Sequence, residues 1–141
     1  MGVKYNFKGL KEVAEKFDKV AKYRKALLKG IALALESGAI SRFKEERDPE
    51  GKKWLPNQRG GQILTLKGYL RGSIVGQATA DYAEVGTPLV YSAIHQFGGT
   101  IRFKKRNGAV QMPKRAYLGV SKEDEVEIAD VIETYLSGAL V

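Results

Sequence analysis

Residues 85–119 read VGTPLVYSAIHQFGGTIRFKKRNGAVQMPKRAYLG, and this stretch decides most of the fold. Its short apolar and aromatic runs end in glycines, which accept backbone conformations that other residues avoid. Residues 89–96 predict one or two helical turns that end at Gly98 and Gly99. A basic hairpin is predicted next, because an Asn-Gly pair separates two alternating runs, Thr100–Phe103 and Ala109–Met112.

Upstream of this stretch the sequence predicts another hairpin and a turn. Residues 73–80 alternate moderately, and residues 82–85 can return beside them around Asp81. The tetrapeptide Asp48-Pro49-Glu50-Gly51 predicts a turn, since proline presets the second position and glycine suits the fourth. Trp54 follows in a short extended piece, and we interpret it as a core or interface anchor.

Two amphipathic helices are predicted at the N-terminus, over about Gly9–Lys22 and about Tyr23–Glu46. Their apolar residues recur at helical spacing, as Leu10, Val13, Phe17, Val20 and Ala21, then as Leu28, Ala32, Leu35, Ala39 and Phe43. Gly30, Ala34 and Gly38 form a row of small residues on another face. A mid-helix glycine costs about 1 kcal/mol relative to alanine. Either another backbone therefore approaches this row closely, or the helix breaks near Gly38.

The C-terminal helix has signals at both ends. Ser121 can cap it, the acidic residues 123–125 suit its positive end, and Gly138 can close it. Its buried stripe is predicted to be Ile128, Val131, Ile132, Tyr135 and Leu136. The whole order is two N-terminal helices, a small antiparallel sheet with a short inserted helix and a basic hairpin, and a C-terminal helix. This order predicts an α+β fold in a single domain over residues 1–141.

Composition excludes several classes of protein. The 141 residues include no cysteine, which excludes disulfides and thiolate metal sites. No apolar run approaches the ~20 residues that span a bilayer, and the N-terminus lacks the apolar core of a signal peptide. The net charge of +8 is uneven, since residues 1–29 carry nine basic and three acidic side chains, whereas residues 122–141 carry one lysine and six acidic residues. Such asymmetry suits head-to-tail contact between copies, and it equally suits two ends that lie together within one fold.

No enzyme activity is expected. His95, the one histidine, would share a helical face with Ser92, and Asp81 or Glu84 lies near in sequence. The nucleophile elbow that accompanies many serine triads is missing. We interpret His95 instead as a residue that hydrogen-bonds the following backbone or lies at an interface. One histidine without cysteines does not make a structural zinc site, and the glycines match no dinucleotide or phosphate loop. We therefore predict no metal and no cofactor.

Six basic residues lie around the aromatic Phe103, namely Arg102, Lys104, Lys105, Arg106, Lys114 and Arg115. They can track a phosphate backbone or meet an acidic partner. We favour a solvated hairpin whose charges discourage edge-to-edge pairing, and we keep a small basic nucleic-acid-binding module as the alternative function. The lysine-rich first helix lacks the wide apolar face that membrane binding needs, so no membrane partner is predicted.

In their order along the chain, several segments resemble the phage virion morphogenesis family of tail-completion proteins. Residues 51–56, GKKWLP, are similar to its glycine–tryptophan–proline signature, and residues 66–74, LKGYLRGSI, are similar to its leucine, glycine, leucine, arginine, serine segment. Residues 85–87 and 91–99 resemble its most distinctive stretch. Residues 113–119 resemble its proline–arginine–aromatic–leucine–glycine segment, with Ala116 where the family usually has proline.

The resemblance implies a structural protein near the head–tail junction that completes or terminates the tail. It implies a ring of about six copies, with itself and with tail-tube and neck or connector proteins as partners. The protein would lie in the tail or neck of the virion after assembly in the bacterial host cytoplasm. On this reading Trp54, Phe97 and Tyr117 are candidate interface anchors, because aromatic residues concentrate interface energy. Gly98 and Gly99 would permit a turn or a close backbone approach there.

Overall fold

The computed structural model describes residues 7–79 and 81–140, apart from the side chains at 7–14, 16, 17, 19–22, 139 and 140. These residues form four helices and two antiparallel sheets of two strands each, which confirms the α+β class. In chain order the elements are α1 (Phe7–Glu45), α2 (Tyr69–Gly72), β1 (Val75–Ala78), β2 (Ala83–Gly86), α3 (Ser92–Phe97), β3 (Gly99–Arg102), β4 (Ala109–Met112) and α4 (Lys122–Leu140).

The N-terminal part of the chain is one continuous helix, α1, rather than the two helices predicted. Neither proline nor glycine occurs between residues 10 and 29, so nothing ends the helix at the predicted boundary near Tyr23. The apolar side chains predicted for the first of the two helices lie outside the described residues. The predicted break near Gly38 is also absent, since α1 runs on to Glu45.

The row of small residues on α1 is where α4 packs. A Cβ atom at Gly30 would lie 2.9 Å from Val131 Cγ1 and 3.3 Å from the ring of Tyr135. A Cβ atom at Gly38 would collide with the carboxylate of Asp124. Position 30 therefore meets the end of α4 and position 38 its start, so the two helices run antiparallel. Side chains of α4, rather than the backbone that we expected, fill the space above these glycines.

The core lies between the C-terminal half of α1, residues 54–74 and the segment 115–118. Its centre is an aromatic cluster, in which Phe43 meets the ring of Trp54 edge-on at 5.5 Å and the ring of Tyr117 at 5.2 Å. Tyr117 and Phe43 are completely buried. The buried cluster consists of Ala39, Phe43, Trp54, Ile63, Leu70, Ile74 and Tyr117.

The two hairpins differ in how they are supported. The first, β1–β2, has the predicted pairing, with Val75 opposite Gly86 and Ala78 opposite Ala83. It packs on α1, where Gly76 contacts the Ala32 carbonyl and donates its N–H to Glu36 Oε2 at 2.7 Å. A side chain at position 76 would not fit, so the glycine permits this close approach.

The second hairpin, β3–β4, pairs Gly99 with Met112 and Arg102 with Ala109. Its connection is a loop of residues 103–108, closed by Phe103 N–H to the Gly108 carbonyl at 3.2 Å. All four residues of β3 and three of the four in β4 are exposed.

Local signals placed the turn at residue 48 and the start of α4 correctly. The Asp48 carboxylate accepts hydrogen bonds from Glu50 N–H and Lys52 N–H at 2.9 and 2.8 Å. At α4, Ser121 Oγ accepts from Asp124 N–H and Asp124 Oδ2 accepts from Ser121 N–H, both at 3.0 Å, which is a reciprocal capping box. The predicted end at Gly138 is wrong, since α4 continues to Leu140.

Candidate interaction surface

The segment 115–118 is fastened from both sides by buried hydrogen bonds. Arg115 donates from Nε to the Leu55 carbonyl at 2.9 Å and from an Nη to the Pro56 carbonyl at 3.0 Å. Its own N–H donates to the His95 carbonyl at 2.8 Å. The side chain is buried, which lowers the pKa of the Arg115 guanidinium from its ordinary value. The Arg115 guanidinium is thus engaged inside the protomer and offers little surface for the predicted contact with nucleic acid or an acidic partner, which stays a prediction.

Gln96 attaches α3 to the same segment, and sequence reasoning missed it. Its Oε1 accepts from Tyr117 N–H at 3.0 Å and Leu118 N–H at 2.9 Å, while its Nε2 donates to the Leu118 carbonyl at 3.0 Å. Tyr117 Oη donates to the Ser92 carbonyl at 2.9 Å, which adds a second tie to α3. The only signal for Gln96 in the sequence was its place beside His95, and the interpretation of that motif concentrated on the histidine.

Arg42 and Asp124 form a buried ion pair that the sequence did not reveal. Arg42 donates to Asp124 Oδ2 at 2.9 Å, to the Tyr117 carbonyl at 2.7 Å and to the Gly119 carbonyl at 2.9 Å. Both side chains are about 95% buried. These hydrogen bonds hold α1, the segment 117–119 and the N-terminus of α4 together at one point. The sequence indicated that Asp124 suits the positive end of α4, but not that its partner lies 82 residues away.

The five candidate interface residues differ in how much surface they offer to a partner. Trp54 and Tyr117 lie inside the protomer, where Trp54 Nε1 donates to the Ala116 carbonyl at 2.9 Å, and neither has surface to offer to a partner. Gly98 ends α3 with φ of +71°, and a Cβ there would lie 2.8 Å from Lys114 N, so it provides the predicted turn and close approach. Gly99 follows in the first position of β3. Phe97 is 73% exposed, and its interface role stays a prediction.

His95 has none of the partners that catalysis needs among the described residues. Its Nδ1 atom is buried without a hydrogen-bond partner, and the ring stands edge-on to Tyr91 at 6.3 Å. Burial, with a smaller contribution from the positive charge of Arg115, lowers the pKa of His95. The backbone bond that we predicted for it is made by its carbonyl and not by its ring. Asp81, considered as a triad acid, pairs instead with Arg24 at 3.3 Å.

Neither a metal-ligand cluster nor a membrane-spanning helix occurs in the described part of the chain. Over residues 7–79 and 81–140, no three acidic, histidine or cysteine side chains gather where they could hold a metal ion. Within the same ranges, no helix has the length and apolar character needed to cross a bilayer.

An open cleft of about 500 Å³ lies between the loop 56–70, α3 and β4. Its rim carries apolar side chains that face solvent, above all Leu66 (73% exposed) and Tyr69 (67% exposed), with Tyr91 and Val110 opposite them. Arg59 and Lys67 add positive charge to the same lining. Large apolar side chains that are exposed together in one concave region mark a contact surface.

Of the six basic residues predicted to form a patch, five are exposed: Arg102, Lys104, Lys105, Arg106 and Lys114. The guanidinium of Arg106 stacks over the ring of Phe103 at 4.2 Å, which holds the loop 103–108 in a defined shape. The patch thus lies on a hairpin with both faces open, next to the apolar cleft. Together, the cleft and the hairpin form one exposed apolar and basic region, the candidate contact surface, whereas Arg42 and Arg115 lie buried beside it.

The geometry shows a buried polar centre beside an exposed apolar and basic region, and the comparisons with known proteins specify the family. The family model described as the phage virion morphogenesis family matches residues 5–137. The chain therefore belongs to the phage virion morphogenesis family.

Relatives in phages and prophages agree with this membership. The protein named "Putative capsid assembly protein G" of Escherichia phage Mu is 37% identical over 129 residues, covering 82% of this chain and 81% of the Mu protein. The Mu-like prophage FluMu G protein 2 of Haemophilus influenzae is 30% identical over 92% of this chain and 91% of its own length. The FluMu G protein 1 of the same bacterium is 27% identical over 97% of both chains. No solved structure gives a significant match.

Proposed function

We propose that this protein completes the phage tail at the head–tail junction, where about six copies act as a ring. Membership of the phage virion morphogenesis family is the observation that carries the proposal. The name of the Mu relative refers to capsid assembly, which supports a role in building the particle. The order of the motifs in residues 51–119 supports the more specific role in tail completion.

Two features of the structure support a structural rather than a catalytic role. In the motif-rich residues 113–119, polar groups form hydrogen bonds within the protein. Arg115 donates to a backbone carbonyl, and the backbone of Tyr117 bonds to the side chains of Gln96 and Arg42. The surface next to them exposes apolar side chains and a charged hairpin. A rigid centre with an open apolar and charged border suits a subunit that binds other proteins.

A gene deletion in the phage or prophage tests the proposal. Without the gene we expect heads and tails that do not join, tails with irregular ends in electron micrographs, and a loss of infectious titre that the wild-type gene restores. Mass spectrometry of purified particles should detect the chain with the tail or neck fraction. Normal joined particles from the deletion strain would contradict the proposed role.

Nucleic-acid binding is a second candidate because of one observation, the exposed basic hairpin with Arg106 stacked on Phe103. Such a combination of cations and an aromatic ring can hold single-stranded nucleic acid. Fluorescence anisotropy with labelled oligonucleotides at low and high salt tests it. Tight binding that weakens steeply with salt would favour this candidate, since released counterions make phosphate contacts salt-dependent.

A further inference from the structure

Residues 99–112, which we call the hairpin arm, have no covering layer. Seven of the eight strand residues are exposed, and Ile101 lies opposite Val110 as an apolar cross-strand pair open to solvent. An isolated two-stranded hairpin is only marginally stable in water and gains stability when a face is covered. The arm therefore has a face that a partner can cover.

The end of the arm is strongly basic. Arg102, Lys104, Lys105 and Arg106 are all exposed. The two ion pairs found in the described ranges involve Arg24 and Arg42, so no acidic side chain there neutralises the arm. Its positive charge is available to a partner.

The outer face of α4 carries the opposite charge. Glu123, Glu127, Asp130 and Glu133 lie three or four residues apart and are exposed, and at helical spacing they form one row along α4. The first two, Glu123 and Glu127, border the groove between α4 and α1. We call this set the acidic row. Val126, which is 64% exposed, lies within the same face. None of the four acids makes an ion pair with any other described residue.

Beyond the first turn of α4, the neighbouring acids of the row repel one another. Like charges three or four residues apart destabilise a helix by a few tenths of a kcal/mol per pair. Positive charge from outside removes that repulsion. The row covers about 15 Å along the helix axis, and a four-residue strand with its loop covers a similar length. Charge, length and an apolar contact at Val126 thus match the arm.

We propose that the hairpin arm of one copy of this chain docks on the acidic row of α4 in a second copy. The proposal rests on the proposed function in that it identifies the contact by which copies would assemble. The contact joins two different surfaces, so each copy still offers one arm and one row to further copies. Such a heterologous contact closes into a ring when the rotation between copies allows it.

Docking of a second copy accounts for both exposed charged surfaces, whereas nucleic-acid binding accounts for only one of them. A phosphate backbone accounts for the basic arm but would be repelled by four carboxylates on α4. Contact between copies uses both surfaces at once, with an apolar pair at its centre and complementary charges around it, as in specific protein interfaces.

A reciprocal charge swap tests the contact. Variant one carries Lys104→Glu with Lys105→Glu, and variant two carries Glu127→Lys with Asp130→Lys. All four side chains are exposed, so each variant should keep the wild-type urea midpoint. In sedimentation velocity over a concentration series, we expect each variant alone to self-associate at least about tenfold more weakly than wild type. An equimolar mixture should recover association, because the reversed arm of variant one fits the reversed row of variant two.

A matched control reverses two charges elsewhere. Lys29 and Lys44 are exposed on α1, and the double change Lys29→Glu with Lys44→Glu should leave self-association unchanged. When wild type self-associates, the proposal is overturned if variant one associates like wild type, if the mixture is no better than its components, or if only oligonucleotide binding is lost.

If the free chain is monomeric in solution, complementation of the deletion phage tests the docking contact instead of sedimentation. Neither variant alone should restore titre, and the two expressed together should. If the wild-type gene restores titre but the reciprocal pair does not, the docking contact is wrong while the proposed function stands. If the deletion has no effect on particles, the proposed function itself fails.

Discussion

The segment 113–119 and the hairpin arm lie next to one another in sequence, yet they use their side chains in opposite ways. Arg115 donates three hydrogen bonds to carbonyls of the same chain, whereas Arg102 and Lys104 on the arm are exposed. Tyr117 is completely buried, whereas Phe97 at the end of α3 is 73% exposed. Residue type alone therefore does not distinguish a support from a contact surface. The difference lies in what each residue meets across the fold.

The aromatic pair Tyr117 and Phe97 should show the largest contrast. Tyr117→Ala removes a buried ring that packs on Phe43 and donates to the Ser92 carbonyl, so we expect a loss of about 3–5 kcal/mol in the free energy of unfolding. Phe97→Ala should change it by less than about 0.5 kcal/mol, because the ring is mostly exposed. Urea denaturation followed by tryptophan fluorescence measures both.

Assembly gives the second readout for this pair. If Phe97 is an interface anchor, Phe97→Ala should lower infectious titre in the complementation assay although the protein remains folded. A variant that is both stable and fully active in assembly would remove Phe97 from the interface. Tyr117→Ala tells nothing about the interface, since its effect on titre would follow from unfolding.

Features set by neighbouring residues could be predicted from the sequence. The capping box of Ser121 and Asp124, the turn at Asp48 and the register-defining turn near Asp81 each depend on a few adjacent residues. The α+β order follows from them. The predicted strands Thr100–Phe103 and Ala109–Met112 leave a loop of residues 104–108, and the structure adds only Phe103 to that loop.

Contacts between distant parts of the chain could not be predicted. Arg42 and Asp124 each look like ordinary helical charges, and only the antiparallel packing of α4 over Gly38 brings them together. For Trp54 the sequence left a core and an interface position open, and Tyr117 was named as an interface candidate, because sequence pattern does not tell whether the partner of an aromatic ring belongs to the same chain; the structure shows both rings buried in the core. The arm and the acidic row could be seen in the sequence as runs of charge, but only the structure shows that these charges are exposed.

The ion pair supplies the second contrast, between two aspartates of α4. Asp124→Ala leaves Arg42 buried without its carboxylate and removes the cap from Ser121, so we expect a loss of about 3 kcal/mol or more. Asp130→Ala on the exposed face should change stability by less than about 0.5 kcal/mol. Equal losses in urea titrations of the two variants would contradict the division between a closed support and an open surface.

Substitutions at the glutamines Gln96 and Gln111 should show the smallest difference in stability of the three pairs. The effect at Gln96 should be confined to the contact between α3 and the segment 115–118. Gln96→Leu keeps the size of the side chain but leaves the N–H groups of Tyr117 and Leu118 without their acceptor, so we expect a loss of about 2 kcal/mol. Gln111→Leu on the exposed strand β4 should be neutral within about 0.5 kcal/mol.

Hydrogen exchange tests whether Gln96→Leu loses stability because the N–H groups of Tyr117 and Leu118 lose their acceptor. The amides of Tyr117 and Leu118 should exchange faster in Gln96→Leu by more than the change in global stability explains. Gln96→Glu keeps an acceptor oxygen for both amides but places a carboxylate oxygen against the Leu118 carbonyl, so the amides of Tyr117 and Leu118 should stay better protected than global stability alone would allow. If both variants lose protection equally, the acceptor is not what holds α3 to the segment 115–118, and packing of the side chain must do so.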